Sequence, residues 1–262
     1  MSGASLLDTI VAATRRAVAV RQRERPAGPL AGTAEREPDG GAFKAALHAS
    51  AAPRIIAECK RRSPSRGILR QDYDPASHAA AYASAGAAAI SVLTEPTLFD
   101  GAPDHLAQVR LAVGIPILRK DFIVTEYQLR EAAALGADAG LLIVSALTDG
   151  ELRQLLSACA ALGLAALVEV HDREEAARAV AAGADIVGVN CRNLRTLAVD
   201  PAVHEAVARA LPAGVARVAE SGIRTRGDLD RLETFGYDAF LVGERLITQP
   251  DPGAALRELR AA

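Results

Sequence analysis

Six polar residues each close a run of otherwise apolar sequence. They are Glu58 and Lys60 in IIAECK, Lys120 in ILRK, Glu169 in ALVEV, Asn190 in IVGVN and Glu220 in ARVAE. Two ammonium groups, three carboxylates and an amide make a complete acid–base set if the chain brings them together. In a partly desolvated cleft such groups shift their pKa values and can donate and withdraw protons at one substrate. Buried charges are stable when paired, and this set is mixed in sign. Charges after a strand often just begin a solvated loop. Five apolar segments that end this way, beside others ending in Thr94, Val144 and Gly243, favour a shared site.

A second group has the composition of an anion site. Ser221 and Gly222 follow the Glu220 segment, and Gly243 and Glu244 follow the run AFLV. Glycine lets backbone N–H groups approach an anion, and a following helix dipole helps. Two ordinary turns would look the same. The Glu244 carboxylate must point away if its N–H is to donate. Residues 60–67, KRRSPSRG, are basic and rich in hydroxyls and turn formers, which suits a mobile lid or an anion clamp. Phe99 and Phe122 follow two of the apolar runs. They either pack beneath loops or wall a pocket for an aromatic ligand.

Other chemistries lack their motifs. The five histidines are scattered without metal-ligand spacing. His171 lies in VHD, where a helix begins, and reads as a surface or capping residue. There is no G-x-S-x-G and no P-loop. Cys59, Cys159 and Cys191 suit a reducing compartment with free thiols.

The elements that must position these groups form a repeat. SAGAAAISVL, ALGADAGLLIV, AAGADIVGVN and TFGYDAFLVG each join a helix end, a Gly and a strand. Gly86, Gly136, Gly183 and Gly236 suit left-handed helix ends that release the chain directly into a strand. Strands are expected at 55–60, 89–94, 115–119, 139–144, 165–170, 186–190, 216–220 and 239–243. Helices alternate with them. Eight strand–helix units predict a (β/α)8 TIM barrel rather than a doubly wound sheet, with the site at the C-terminal ends of the strands. Period two then sends Glu58 and Lys60 inward and Cys59 toward the helices. Before the barrel (53–262), a helix is expected at 5–23, a loop at 24–41 and a short helix at 43–48. Residues 1–50 form an extension of one domain that spans 1–262.

Composition limits the rest. Half of the 262 residues are hydrophobic and the net charge is −2, which excludes a disordered chain and gives no general drive toward nucleic acid or an acidic membrane. Four Tyr, five Phe and no Trp require an aliphatic core. There is no signal peptide and no membrane-length apolar run, so a cytoplasmic protein is expected.

The stretches IIAECKRRSPSRG, ISVLTEPTLFDG, PILRKDFIVTEYQLREAAALGADAGLLIV, LVEVHDREE, GVNCRNLRTLAVD, AESGIRT and FLVGERLI resemble the indole-3-glycerol-phosphate synthase family. The match runs in order from about residue 43 to the C-terminus. The resemblance implies a barrel with a helical extension across its top. It implies ring closure, decarboxylation and dehydration of 1-(2-carboxyphenylamino)-1-deoxyribulose 5-phosphate in tryptophan biosynthesis, without metal or organic cofactor. The expected partner is that small molecule, with the chain a monomer at most weakly associated with other enzymes of the pathway.

By resemblance, Lys120 is the general acid at the ribulose carbonyl and Glu169 a general base that stabilises the cationic intermediate. Lys60 and Glu58 form a second acid–base pair. Asn190 and Glu220 bind the ribulose hydroxyls, supported by Arg192. Ser63, Ser221, Gly222, Gly243 and the Glu244 N–H hold the phosphate. Phe99, Phe122, Leu141 and Leu197 line the anthranilate pocket. Cys191 stands where Asn or Ser is frequent, and alternation points it away from the mouth. Competing readings are phosphoribosylanthranilate isomerase, which would need Cys59 inside, a Schiff-base aldolase using Lys120, and a barrel that only binds ligands.

Overall fold

The computed structural model describes residues 6–26, 36–49, 53–194 and 196–261. Eight parallel strands close into a barrel: β1 (Ile55–Cys59), β4 (Ala89–Leu93), β5 (Ile117–Lys120), β6 (Ala139–Ile143), β7 (Ala165–Val170), β8 (Ile186–Asn190), β9 (Ala216–Glu220) and β10 (Ala239–Val242). β1 pairs with both β4 and β10, so no edge remains open. A two-stranded antiparallel hairpin, β2 (Arg62–Ser63) with β3 (Gly67–Ile68), occupies the basic segment after β1. Among the described residues two helices precede the barrel, α1 (Leu6–Glu24) and α2 (Gly40–Leu47). The outer ring is α3 (Pro75–Ser84), α4 (Asp104–Ala112), α5 (Glu126–Ala134), α6 (Asp149–Ala161), α7 (Arg173–Ala182), α8 (Ala202–Ala208), α9 (Arg226–Thr234) and α11 (Pro252–Arg260), with the short α10 (Glu244–Ile247) before the last.

The eight expected units are all present. Gly86, Gly136, Gly183 and Gly236 take the left-handed φ expected of them, between 84° and 95°. β5 begins at Ile117 rather than Ile115, because Pro116 has no N–H to give to a ladder. β1 ends at Cys59, which leaves Lys60 just beyond the strand.

Alternation along the strands divides the core in two. Ile56, Leu118, Leu141, Leu167, Ile186, Val218 and Leu241 fill the barrel interior. Ile55, Cys59, Val92, Leu142, Val168, Val189 and Phe240 pack outward against the helices. Cys59 therefore faces away from the mouth, as its position in the alternation requires.

The two N-terminal helices sit at opposite ends of the barrel, whereas an extension over the top alone was expected. α1 lies at the mouth, where Arg15 reaches Val124 O at 3.3 Å and Arg21 pairs with Glu131 at 3.1 Å. α2 closes the other end. Its Phe43 and Leu47 are fully buried among the interior residues, near the start of β7. This helix begins at Gly40, inside the segment expected to be loop. The Asp39 side chain accepts the Ala42 N–H at 2.7 Å and caps it, and the Gly40 N–H bonds Gly163 O at 2.8 Å. The approach is so close that a Cβ at residue 40 would overlap the backbone of Ala165. The rest of the expected loop, 27–35, lies outside the described residues.

Candidate active site

The C-terminal ends of the strands surround a cavity of about 590 Å³. Every residue expected at the site lines it. Glu58, Lys120, Glu169, Asn190 and Glu220 do so from the strands, Lys60 from just past β1, and Ser63, Phe99, Phe122, Leu141, Arg192, Leu197, Ser221, Gly222, Gly243 and Glu244 from strands and loops. Leu6 and Ile10 of α1 complete the apolar wall.

Lys120 is the centre of the charge cluster. Its Nζ lies 2.9 Å from Glu169 Oε2 and 3.2 Å from Glu220 Oε2. Lys60 folds back from the end of β1 onto Glu58. Burial alone would lower the Lys120 pKa, but Glu169, Glu220 and Glu58 outweigh it and hold the ammonium above the ordinary lysine value. Burial would raise Glu169, yet Lys120 and His171 keep it well below the usual carboxylate range. Glu220 goes the other way. Burial pushes it up to about 8 against the pull of Lys120, and the nearby Glu169 adds to the rise. One ammonium between two buried carboxylates thus holds one ionised and leaves the other close to neutral.

Two glycines make room for these carboxylates. A Cβ on Gly243, at the end of β10, would overlap Glu58 Oε2. Gly188 in β8 stands in the same relation to Glu220 Oε1. Gly243 was read from sequence as an anion-approach residue, and its close neighbour in the structure is the Glu58 side chain.

His171 is not the surface or capping residue that its position suggested. The ring is mostly buried, with Nε2 3.3 Å from Glu169 Oε1 and Nδ1 2.9 Å from Glu175 Oε2. Burial would lower its pKa, but the two carboxylates raise it to about 10. The EVHDREE stretch holds the signal: Glu175 is four residues on, in the first turn of α7, and Glu169 is two residues back in β7.

The loop after β5 is held by a buried network that the sequence reading did not identify. Arg119 is fully buried on the outer face of β5. It pairs with Asp121 at 2.9 Å and with Glu131 at 2.8 Å, and its Nε donates to Thr94 Oγ1 at 3.1 Å. Asp121 in turn accepts the Phe122 N–H at 2.8 Å. Gln128 accepts the Val124 N–H and donates to Phe122 O. The LRKDFI and EYQ motifs are thus one structure that fixes Lys120 and Phe122. Glu95 does the same after β4, accepting the backbone N–H groups of Thr97, Leu98 and Phe99 beneath the half-buried Phe99 ring.

The far end of the cavity carries the anion-type groups. Ser221 and Gly222 both have positive φ, 67° and 73°. For Ser221 this is a strained conformation, of the kind that concentrates at functional sites. The Ser63 Oγ is buried without a hydrogen-bond partner among the described residues. The Glu244 carboxylate is turned toward Arg66 of the hairpin, 3.1 Å away. Arg61 anchors the other side of that segment to Asp100. Asn190 Oδ1 accepts the Arg192 N–H at 3.0 Å, and the Arg192 guanidinium donates to Leu197 O at 3.1 Å. Leu197 itself has a φ of 61°. Cys191 is buried and does not line the cavity. Burial pushes its thiol up to about 11.

A parallel (β/α)8 barrel with a lysine held between two buried glutamates at its mouth defines an enzyme equipped for acid–base chemistry on a small molecule. The comparisons with known proteins agree. Residues 7–259 match the family model described as indole-3-glycerol phosphate synthase. The indole-3-glycerol phosphate synthase of Mycolicibacterium gilvum is 49% identical over 262 residues, covering 100% of this chain and 96% of its own. That of Micrococcus luteus is 48% identical, covering 98% of each. The chain belongs to the indole-3-glycerol phosphate synthase family, carboxy-lyases of tryptophan biosynthesis. Among solved structures, an N-acetylmannosamine-6-phosphate 2-epimerase from Clostridium perfringens shares the fold. It has a TM-score of 0.59 and 18% identity, covering 75% of this chain and 88% of that one.

Proposed function

We propose that this cavity performs the family reaction with Lys120 as the general acid of ring closure. The observation that carries this reading is the position of the Lys120 ammonium between Glu169 and Glu220. In 1-(2-carboxyphenylamino)-1-deoxyribulose 5-phosphate, the ring carbon that bears the carboxylate attacks the ribulose carbonyl. The carbonyl oxygen becomes an alkoxide, a stronger base than an amine, and takes the Lys120 proton as the carbon–carbon bond forms. The ring is then an iminium cation, and the ionised Glu169 stabilises it electrostatically. Loss of CO₂ returns the bonding pair to the ring. The new hydroxyl leaves as water with a proton from the adjacent carbon. The Glu58–Lys60 pair supplies a base and an acid for that step.

Asn190 and Glu220 would hold the ribulose hydroxyls, with Arg192 bracing the loop beside them. Ser63, Ser221, Gly222, Gly243 and the Glu244 N–H would hold the phosphate. The Ser63 Oγ, unpartnered among the described residues, and the diverted Glu244 carboxylate support that placement. Phe99, Phe122, Leu141 and Leu197 would enclose the anthranilate ring. We read residues 1–262 as one barrel domain that acts as a monomer in the cytoplasm. Three buried cysteines with free thiols support a reducing compartment, and no described helix is long and apolar enough to cross a membrane.

The test is incubation with the carboxyphenylamino-deoxyribulose phosphate. Indole fluorescence should appear together with CO₂, against a chain that has no Trp of its own. No product from folded protein would overturn the reading. A borohydride-trapped adduct at Lys120 would favour Schiff-base chemistry instead.

A further inference from the structure

Glu169 uses its two oxygens in opposite directions. Oε2 meets Lys120 inside the mouth, and Oε1 faces the His171 ring behind it. That ring cannot turn freely, because Nδ1 is held by Glu175 Oε2, which also accepts the His171 backbone N–H at 2.8 Å. Each ring nitrogen therefore faces a carboxylate oxygen. A neutral imidazole has one N–H and would leave one of these contacts as lone pair against lone pair. An imidazolium donates to Glu175 Oε2 and sets its Nε2 proton against Glu169 Oε1 as an ion pair at 3.3 Å, outside hydrogen-bond geometry.

We propose that His171 is a positioning residue: as an imidazolium braced by Glu175, it holds Glu169 in the orientation that reaches Lys120 and keeps that carboxylate ionised. His171 does not line the cavity, so it acts through Glu169. The charged groups involved are Glu169 on β7 and Glu175 on α7, which face the ring, and Lys120 on β5 and Glu220 on β9, which face Glu169. Burial opposes the charge on the ring, and the two carboxylates restore it. The inference rests on the catalytic reading of Glu169.

Three measurements separate the possibilities. Glu169→Gln tests the underlying reading alone, and wild-type turnover in that variant would remove the role of Glu169 itself. His171→Gln should lower kcat about tenfold or more while KM stays within about twofold. Losing a cation beside Glu169 raises the pKa of that carboxylate, so the acid limb of kcat/KM should move up by about one pH unit or more. A loss of turnover with an unmoved acid limb would reduce His171 to a packing role and overturn the proposal. So would unchanged kinetics. The third measurement needs no His171 variant to fold. In ¹⁵N NMR of the wild-type protein, His171 should remain doubly protonated through pH 8, and Glu175→Gln should lower its titration midpoint. Titration of His171 near the ordinary histidine value of about 6.5 in the wild type would also overturn it.

Discussion

Glu220 fills space that exists because residue 188, on the adjacent strand β8 two positions before its register partner Asn190, is glycine. A Cβ there would overlap Glu220 Oε1 and press Leu167 Cδ1 at 3.2 Å. The obstructed atom is the end of a movable side chain, so the barrel should tolerate Gly188→Ala while the carboxylate moves off Lys120. Turnover should fall about tenfold or more. The melting temperature should stay within about 4 °C. Paired melts and assays check this, and equal loss of stability and activity would contradict it.

Lys120→Met removes the cation from between two buried carboxylates. Turnover should fall by about 10² to 10⁴. The fold should persist, because Glu220, already pushed up to about 8, can carry a proton and relieve the repulsion. Circular dichroism and steady-state rates at neutral pH are sufficient.

Arg119 is a structural counterpart to Lys120, one residue away on the opposite face of β5. Arg119→Leu would strand Asp121 as a buried carboxylate without its cation and leave Glu131 with Arg21 alone. The expected destabilisation is about 3 to 5 kcal/mol. Urea unfolding of the variant reads it directly, and a change under about 1 kcal/mol would contradict the role of this network.

Stability should decline as pH rises from about 6.5 to 8. Glu220 is raised to about 8, so the folded chain keeps a proton there that the unfolded chain has already lost. His171 is raised to about 10, and its contribution is fully present below the unfolded histidine value and lost as pH rises toward 10. Both slopes have the same sign, each at most about 1.4 kcal/mol per pH unit. The depressed His105 and His204 act below this window. Glu220→Gln should flatten part of the slope in denaturant titrations at pH 6.5, 7.25 and 8.

Much of this site is legible from strand alternation. Glu58, Glu169, Asn190 and Glu220 lie at interior positions of strands whose other interior residues are small or aliphatic, so their convergence follows from the barrel alone. Other features depend on contacts that period two does not encode. His171 stands past the end of its strand, and its role depends on which way a loop residue turns. Gly188 looks like any small strand residue until the neighbouring strand brings Glu220 against it. Arg119 reads as a charge at a strand end, and its burial depends on Asp121, Glu131 and Thr94 meeting behind the sheet. The start of α2 is set by the Asp39 cap, a local signal that the Pro- and Gly-rich surroundings obscure, and by the close approach of Gly40 to Ala165, which has no local pattern.

The placement of α1 and α2 at opposite ends of the barrel also has a temporal side. Arg15 docks on residues 109 and 136 positions later, and Arg36 and Lys44 find partners 102 and 141 positions later. These segments therefore wait for those partners until about half of the chain or more exists. At ordinary synthesis rates that wait is on the order of ten seconds. Throughout it, Phe43 and Leu47 have no barrel floor to fill, so the plug that seals the finished molecule is made early and fitted late.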